Sequence, residues 1–76
     1  MKTNELNSKN FSDYIRKLRR ERHLSQQYMA NAMGVSQNTY WLLENGKTKI
    51  TLEHIQQLAD ALNLNVRLFL HDFINQ

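Results

Sequence analysis

The chain has 76 residues, no cysteine and no proline, and its net charge is +3. This length allows one small domain, and the lack of cysteine excludes disulfides and thiolate metal sites. No apolar run approaches the roughly 20 residues that a membrane-spanning helix needs. The first ten residues, MKTNELNSKN, lack the apolar core of a signal peptide, so we expect a cytoplasmic protein without membrane contact.

The positive charge is concentrated in the middle of the chain. Residues 16–49 hold seven lysines and arginines against two glutamates, a net charge of +5, whereas the remainder has a net charge of −2. Such a basic stretch favours contact with phosphates, although a solvated basic helix face would give the same pattern.

Helical periodicity begins after a polar N-terminal segment. Residues 1–10 are expected to form a flexible arm, which either has no role or reaches a DNA minor groove through its lysines. Phe11, Ile15 and Leu18 then recur on one helical face, which predicts helix 1 from Phe11 to about Arg22. Residues 11–76 are therefore expected to form the folded domain.

Four further helices are predicted, and no segment has the alternation of a strand. Each helix follows a residue that caps helix N-termini well, namely Ser25, Ser36, Thr51 and Asn65. Helix 2 should end near Met33, helix 3 at 45–46, helix 4 by Asn63 and helix 5 near Ile74. Helix 4 is expected to bury one face, formed by Leu52, Ile55, Leu58, Ala59 and Leu62.

Helices 2 and 3 together have the features of a helix-turn-helix unit. Ala30 is small enough for the second helix to cross close to the first, and Gly34 allows the positive φ of a short turn. Tyr40 and Leu43 lie three residues apart on helix 3 and are expected to point into the core. The opposite face of helix 3 is then free to enter a DNA major groove.

The segment 24–65 resembles the lambda-repressor/Cro-like (XRE) family of DNA-binding domains. Its most specific matches are Leu24-Ser25-Gln26, the turn with Ala30, Gly34 and Val35, and Glu44-Asn45-Gly46-Lys47. The resemblance extends over about residues 11–72. It implies an all-α fold of five helices, with the helix-turn-helix at helices 2 and 3, and a protein that binds double-stranded DNA.

The resemblance also implies roles for individual residues. Gln37 and Asn38 match base-reading positions, and an amide side chain can bind adenine N6 and N7 together. Arg19 and Glu44 match a buried ion pair that ties helix 1 to helix 3. Of the residues expected to hold DNA phosphates, Gln26, Asn45, Lys47 and Lys49 are implied by the resemblance. Lys17, Arg20 and Tyr28 complete the expected set.

Trp41 and Leu42 depart from the family pattern, which has polar or small residues at these positions. Both lie one helical turn beyond Gln37 and Asn38, so we expect them to face bases, where they could touch a thymine methyl group. Two alternatives stay open at this point. The pair could form an apolar patch that binds a protein partner, or it could pack onto the domain's own surface.

Helix 5 carries more apolar residues than one buried face needs. Leu68, Phe73 and Ile74 are left over, which suggests the surface of a two-fold homodimer. The alternative is a longer helix 5 that wraps its own core. A dimer would suit DNA binding, because two recognition helices about 34 Å apart meet successive major grooves.

These features predict a homodimeric transcriptional regulator of the repressor type that binds an inverted-repeat operator. No catalytic motif and no metal-ligand spacing is present, so we expect neither an enzyme nor a cofactor. Two alternatives remain open. The domain could be an antitoxin or a restriction-modification controller, or it could be a protein-interaction module that has lost DNA binding.

Overall fold

The computed structural model describes residues 7–76, apart from the side chain of Ser8. This part of the chain contains five α-helices and no strand, which confirms the predicted fold class. The helices are α1 (Ser8–Glu21), α2 (Gln26–Met33), α3 (Gln37–Glu44), α4 (Leu52–Ala61) and α5 (Val66–Asn75). Residues 1–6 of the predicted arm lie outside the described residues.

Helix α1 begins three residues earlier than the sequence predicted. The side chain of Asn7 accepts a hydrogen bond of 2.9 Å from the backbone N–H of Asn10, so Asn7 is the N-cap. Residues 8–10, which were expected in the arm, therefore form the first turn of α1. The apolar pattern missed this turn because none of these three residues is apolar.

The other four helices begin where their capping residues predicted. The side chains that accept hydrogen bonds from the first turn are those of Ser25, Ser36, Thr51 and Asn65. At α4 the cap is reciprocal, because His54 Nδ1 accepts a hydrogen bond of 3.2 Å from the backbone N–H of Thr51. Helix α2 ends at Gly34, whose φ of +72° is the left-handed conformation that the short turn requires.

The core lies where α2 packs against α3 and α4, with α1 and α5 closing its remaining sides. Ala30 is fully buried, as predicted for the residue at the close crossing of α2 and α3, and so are Tyr40 and Leu43. The predicted face of α4 is buried at Leu58, Ala59 and Leu62.

The prediction that Leu52 belongs to the buried face of helix 4 is wrong. Its side chain is 85% exposed, although the helical period places it on the buried face of α4. Leu52 is the first residue of α4. It therefore lies at the end of the helix, ahead of the turns that pack against the rest of the domain.

Phe73 also differs from its prediction, because it packs in the core and is not available for a dimer surface on α5. Its side chain is fully buried, and its ring lies 5.2 Å from those of both Phe11 and Tyr14. The prediction counted Phe11 but not Tyr14 among the core residues of helix 1. Because α1 buries both rings, α5 must supply Phe73 as well as Phe69 to pack against them.

Candidate nucleic-acid interface

The turn between α2 and α3 is short and tightly hydrogen-bonded. The N–H of Gly34 donates to the carbonyl of Asn31 at 3.2 Å, and the N–H of Val35 donates to that of Ala30 at 3.0 Å. Ser36 then caps α3, accepting from the backbone N–H of Thr39 at 3.0 Å. These bonds fix the direction of α3 relative to α2.

Helix α3 has one buried face and one face toward solvent. Tyr40, Leu43 and Glu44 are buried. The opposite face brings together the predicted base-facing residues, since Gln37, Asn38 and Trp41 are exposed and Leu42 is half-buried. Trp41 is 43% exposed, so part of its ring faces solvent and the rest lies against the domain.

The buried carboxylate of Glu44 joins the first three helices. It forms the ion pair with Arg19 that the resemblance implied, with Arg19 Nε to Glu44 Oε2 at 2.7 Å and Arg19 Nη2 to Glu44 Oε1 at 2.9 Å. The Tyr40 hydroxyl and the Gln26 amide also donate to this carboxylate, the latter at 3.1 Å. One side chain therefore holds α1, α2 and α3 together.

These contacts decide the charge state of the cluster. Burial alone would raise the pKa of Glu44, but hydrogen bonds from Arg19, Tyr40 and Gln26 outweigh it, so the pKa of Glu44 is lowered. The hydrogen bond to Glu44 raises the pKa of Arg19. Burial and the same carboxylate raise the pKa of the Tyr40 hydroxyl. Glu44 and Arg19 are therefore both charged at neutral pH.

Sequence reasoning found only part of this cluster. It placed Gln26 at a phosphate, whereas the structure shows its amide bonded to Glu44. That hydrogen bond uses one of the two N–H hydrogens of the amide and fixes the side chain against α3. The hydrogen bond from Tyr40 to Glu44 could have been predicted from the sequence, because residues four apart on one helix face are neighbours.

The other predicted phosphate ligands are on the surface. Lys17 and Arg20 are exposed on α1, and Lys47 and Lys49 are exposed in the loop between α3 and α4. Among the described residues, these four cations form no ion pair, which leaves their charges to face solvent. Two more of the predicted ligands are Tyr28, which is exposed, and Asn45, whose Nδ2 donates to the Trp41 carbonyl at 2.9 Å.

The described part of the chain forms neither a metal site nor a membrane-spanning helix. It has no group of histidine and acidic side chains placed to hold a metal ion. None of its helices is both long and apolar enough to cross a membrane.

Comparison with known proteins identifies the family. A helix-turn-helix family model matches residues 15–69. Over 49 residues, the chain is 47% identical to the cryptic phage CTXphi transcriptional repressor RstR of Vibrio cholerae. That match covers 64% of this chain and 44% of the repressor, so it spans less than half of the relative's length.

Two crystal structures have the same fold. The restriction-modification controller protein C.AhdI from Aeromonas hydrophila superposes with a TM-score of 0.73 and 30% identity, covering 78% of this chain and 89% of that chain. The clp gene regulator ClgR from C. glutamicum superposes with a TM-score of 0.79 and 21% identity, covering 92% and 91%.

The family match also bears on catalysis. Members of this family are DNA-binding regulators, so the prediction that the chain is not an enzyme is confirmed. The matched region contains all of α2, α3 and α4, and it extends over more than half of the chain. The chain therefore belongs to the XRE family of helix-turn-helix DNA-binding proteins.

Proposed function

We propose that this protein is a transcriptional regulator that binds an inverted-repeat operator as a homodimer, with α3 in the major groove. The observation that carries this proposal is the division of α3 into two faces. Tyr40, Leu43 and Glu44 hold the helix in the core, and the face with Gln37, Asn38 and Trp41 is exposed. The likeness to a phage repressor supports the same function.

Base recognition is assigned to the exposed face of α3. The amides of Gln37 and Asn38 can each donate to and accept from an adenine edge. Trp41 offers an apolar ring surface for a thymine methyl group, and Leu42 is half-buried and would touch DNA only along its exposed edge. A protein partner for Trp41 and Leu42 is the competing proposal for this surface.

Phosphate binding is assigned to the residues around this face. Lys17 and Arg20 on α1, and Lys47 and Lys49 in the loop after α3, would hold the DNA backbone. Gln26 lies at the N-terminus of α2, where backbone N–H groups lack helical partners and suit an anion. Tyr28 and Asn45 complete the proposed phosphate set.

An inverted-repeat operator would be matched by a homodimer. Two copies of α3 must lie about 34 Å apart to enter successive major grooves on one side of the duplex. Of the predicted α5 surface, Leu68 is exposed, Ile74 is half-buried and packed against the core, and Phe73 is buried. Helix α5 therefore offers a smaller dimer surface than its sequence suggests.

A restriction-modification controller is the second candidate for the biological role. The likeness to C.AhdI, at 30% identity over most of both chains, favours it. Both roles use the same proposed DNA-binding surface in the cytoplasm. A restriction enzyme or methyltransferase gene beside this one would favour the controller.

The experiment that tests DNA recognition is selection from random duplex DNA at near-physiological salt. We expect enrichment of a two-fold symmetric site. Gln37→Ala should relax the preference at one base pair of each half-site by about 1–3 kcal/mol, because an amide that reads a base is lost. The matched control is Gln56→Ala on α4, which should leave the preference unchanged. Unaltered discrimination in the Gln37 variant would contradict the assignment.

A further inference from the structure

An apolar groove lies where the starts of α1 and α4 meet the later turns of α5. Its volume is about 530 Å³. The apolar side chains that line it are those of Phe11, Ile50, Leu52, Ile55, Leu70 and Phe73. Two of them, Phe11 and Phe73, belong to the buried core, so the groove opens onto the core of the domain. Covering such a groove with a further apolar side chain removes apolar surface from water.

The start of α1 lies at the edge of this groove. Asn7, the N-cap of α1, is itself one of the lining residues. Leu6 directly precedes it in the sequence, and consecutive Cα atoms are about 3.8 Å apart. Leu6 is outside the described part of the chain, but its covalent bond to Asn7 limits how far its side chain can be from the groove.

The cap of α1 also indicates which residue a side chain at position 6 would meet. Asn7 has the extended backbone of an N-cap, with φ −129° and ψ 163°, and its carbonyl accepts a hydrogen bond of 3.1 Å from the N–H of Phe11. At helix starts, an apolar residue directly before the N-cap often packs against the residue four positions after the cap, a contact called a hydrophobic staple. Here these two residues are Leu6 and Phe11, and Phe11 lines the groove.

We infer that the groove is the docking site of this chain's own N-terminal segment, residues 1–6, with Leu6 as the anchoring side chain. In this arrangement Leu6 forms the staple with Phe11 and extends across the groove to Leu70 and Phe73 of α5. Residues 2–5 are all polar, so Leu6 is the side chain beside the groove that gains from burial.

Docking of Leu6 would also secure the loop that carries two of the proposed phosphate ligands. Ile50 lines the groove and directly follows Lys49. The other end of the loop already lies against α1, since the Cβ position of Gly46 is 3.7 Å from the Cα of Lys9. With Leu6 packed beside Ile50, both ends of the loop would be held by the start of α1 and the segment before it. This contact would form with or without DNA.

Nuclear Overhauser effects measured on the full chain test the contact. We expect cross-peaks from the Leu6 methyl protons to the ring of Phe11, and also to the methyl groups of Leu70 and the ring of Phe73. Cross-peaks confined to Phe11 would show a local staple that leaves the groove open, and they would overturn the inference. A complete lack of these cross-peaks would overturn it as well.

The same experiment distinguishes the chain's own segment from a second copy. In a mixture of isotope-labelled and unlabelled protein, filtered spectra should show no cross-peaks between Leu6 of one molecule and the groove of another. Such intermolecular cross-peaks would assign the groove to a second copy and would overturn the inference.

Thermal unfolding measures how much the contact contributes to stability. Leu6→Ser should lower the melting temperature by about 4–8 °C, the shift expected when a domain of this size loses part of the burial of one leucine. Leu6→Met preserves an apolar side chain of similar volume and should retain most of the wild-type melting temperature.

Leu68→Ser is the matched control for the stability measurement. Leu68 is 60% exposed on α5 and does not line the groove, so its replacement should change the melting temperature much less than Leu6→Ser does. If Leu6→Ser melts at the wild-type temperature, or if Leu68→Ser has the larger effect, Leu6 does not occupy the groove.

Discussion

Replacing Glu44 by glutamine removes the negative charge at the junction of α1, α2 and α3 while preserving the shape of the side chain. The side chains of Arg19 and Glu44 are 12% and 2% exposed, so the guanidinium would lose its partner in a site with little water. Arg19, Tyr40 and Gln26 would all continue to point donors at an amide that has a single acceptor oxygen.

The expected loss is large for a domain of this size. Removing one partner of a buried ion pair costs about 3–5 kcal/mol, and the slight exposure of Arg19 places the expected value near the lower end, about 3 kcal/mol. A domain of 76 residues has a free energy of unfolding of roughly 4–11 kcal/mol. The melting temperature should fall by about 12–24 °C, since each kcal/mol corresponds to about 4–8 °C at this length.

Urea unfolding followed by far-ultraviolet circular dichroism measures this loss. Asp13→Asn is the matched acid-to-amide control, because Asp13 pairs with Lys9 and Arg16 on the surface, at 3.1 and 2.8 Å. Exposed pairs contribute about 0–1 kcal/mol each, so the control should be much milder. Adding Arg19→Met to Glu44→Gln should recover part of the lost stability by removing the unpaired cation. A Glu44 variant no less stable than the Asp13 variant would refute the reasoning.

Three further predictions concern pH, salt and the bases. The pKa of Glu44 lies below its ordinary value of 4.5, so its hydrogen-bond network stabilises the fold above pH 4.5 and loses this effect as the pH falls further. The difference in the free energy of unfolding between wild type and Glu44→Gln should therefore shrink in acid. A difference that stays constant with pH would contradict this. Lys47→Ala should weaken binding to all sequences alike and lower the salt slope by about one, whereas Arg67→Ala on α5 should change neither. Replacing the contacted thymine by deoxyuridine should weaken DNA binding by the wild type about fourfold, because burial of one methyl group contributes about 0.8 kcal/mol. The same replacement should leave the DNA affinity of the Trp41→Ala variant unchanged. Equal losses in both proteins would remove Trp41 from base recognition.

Local chemistry made most of the helix boundaries predictable. Ser25, Ser36 and Thr51 each accept a hydrogen bond from their own first turn, so the signal lies within four residues of sequence. Gly34 is readable in the same way, since the short turn after α2 needs a positive φ. The start of α1 was missed because Asn7 caps a turn that has no apolar residue.

The positions of Leu52 and Phe73 could not be read from periodicity. A helical period assigns a face to a residue, but burial also depends on whether a neighbouring element reaches that point along the helix. Leu52 lies beyond the packed part of α4, and Phe73 meets rings of α1 that are distant in sequence. The orientation of Gln26 likewise depends on Glu44, 18 residues later in the chain.

The two faces of α3 have a consequence for how this domain can change over time. The residues that anchor the helix, Tyr40, Leu43 and Glu44, alternate with those proposed to read bases. Substitutions at Gln37, Asn38 or Trp41 therefore meet solvent rather than the core. New operator preferences could arise at these positions one residue at a time without a loss of folding. A library randomised there should contain mostly folded proteins, which makes this helix a practical scaffold for retargeting.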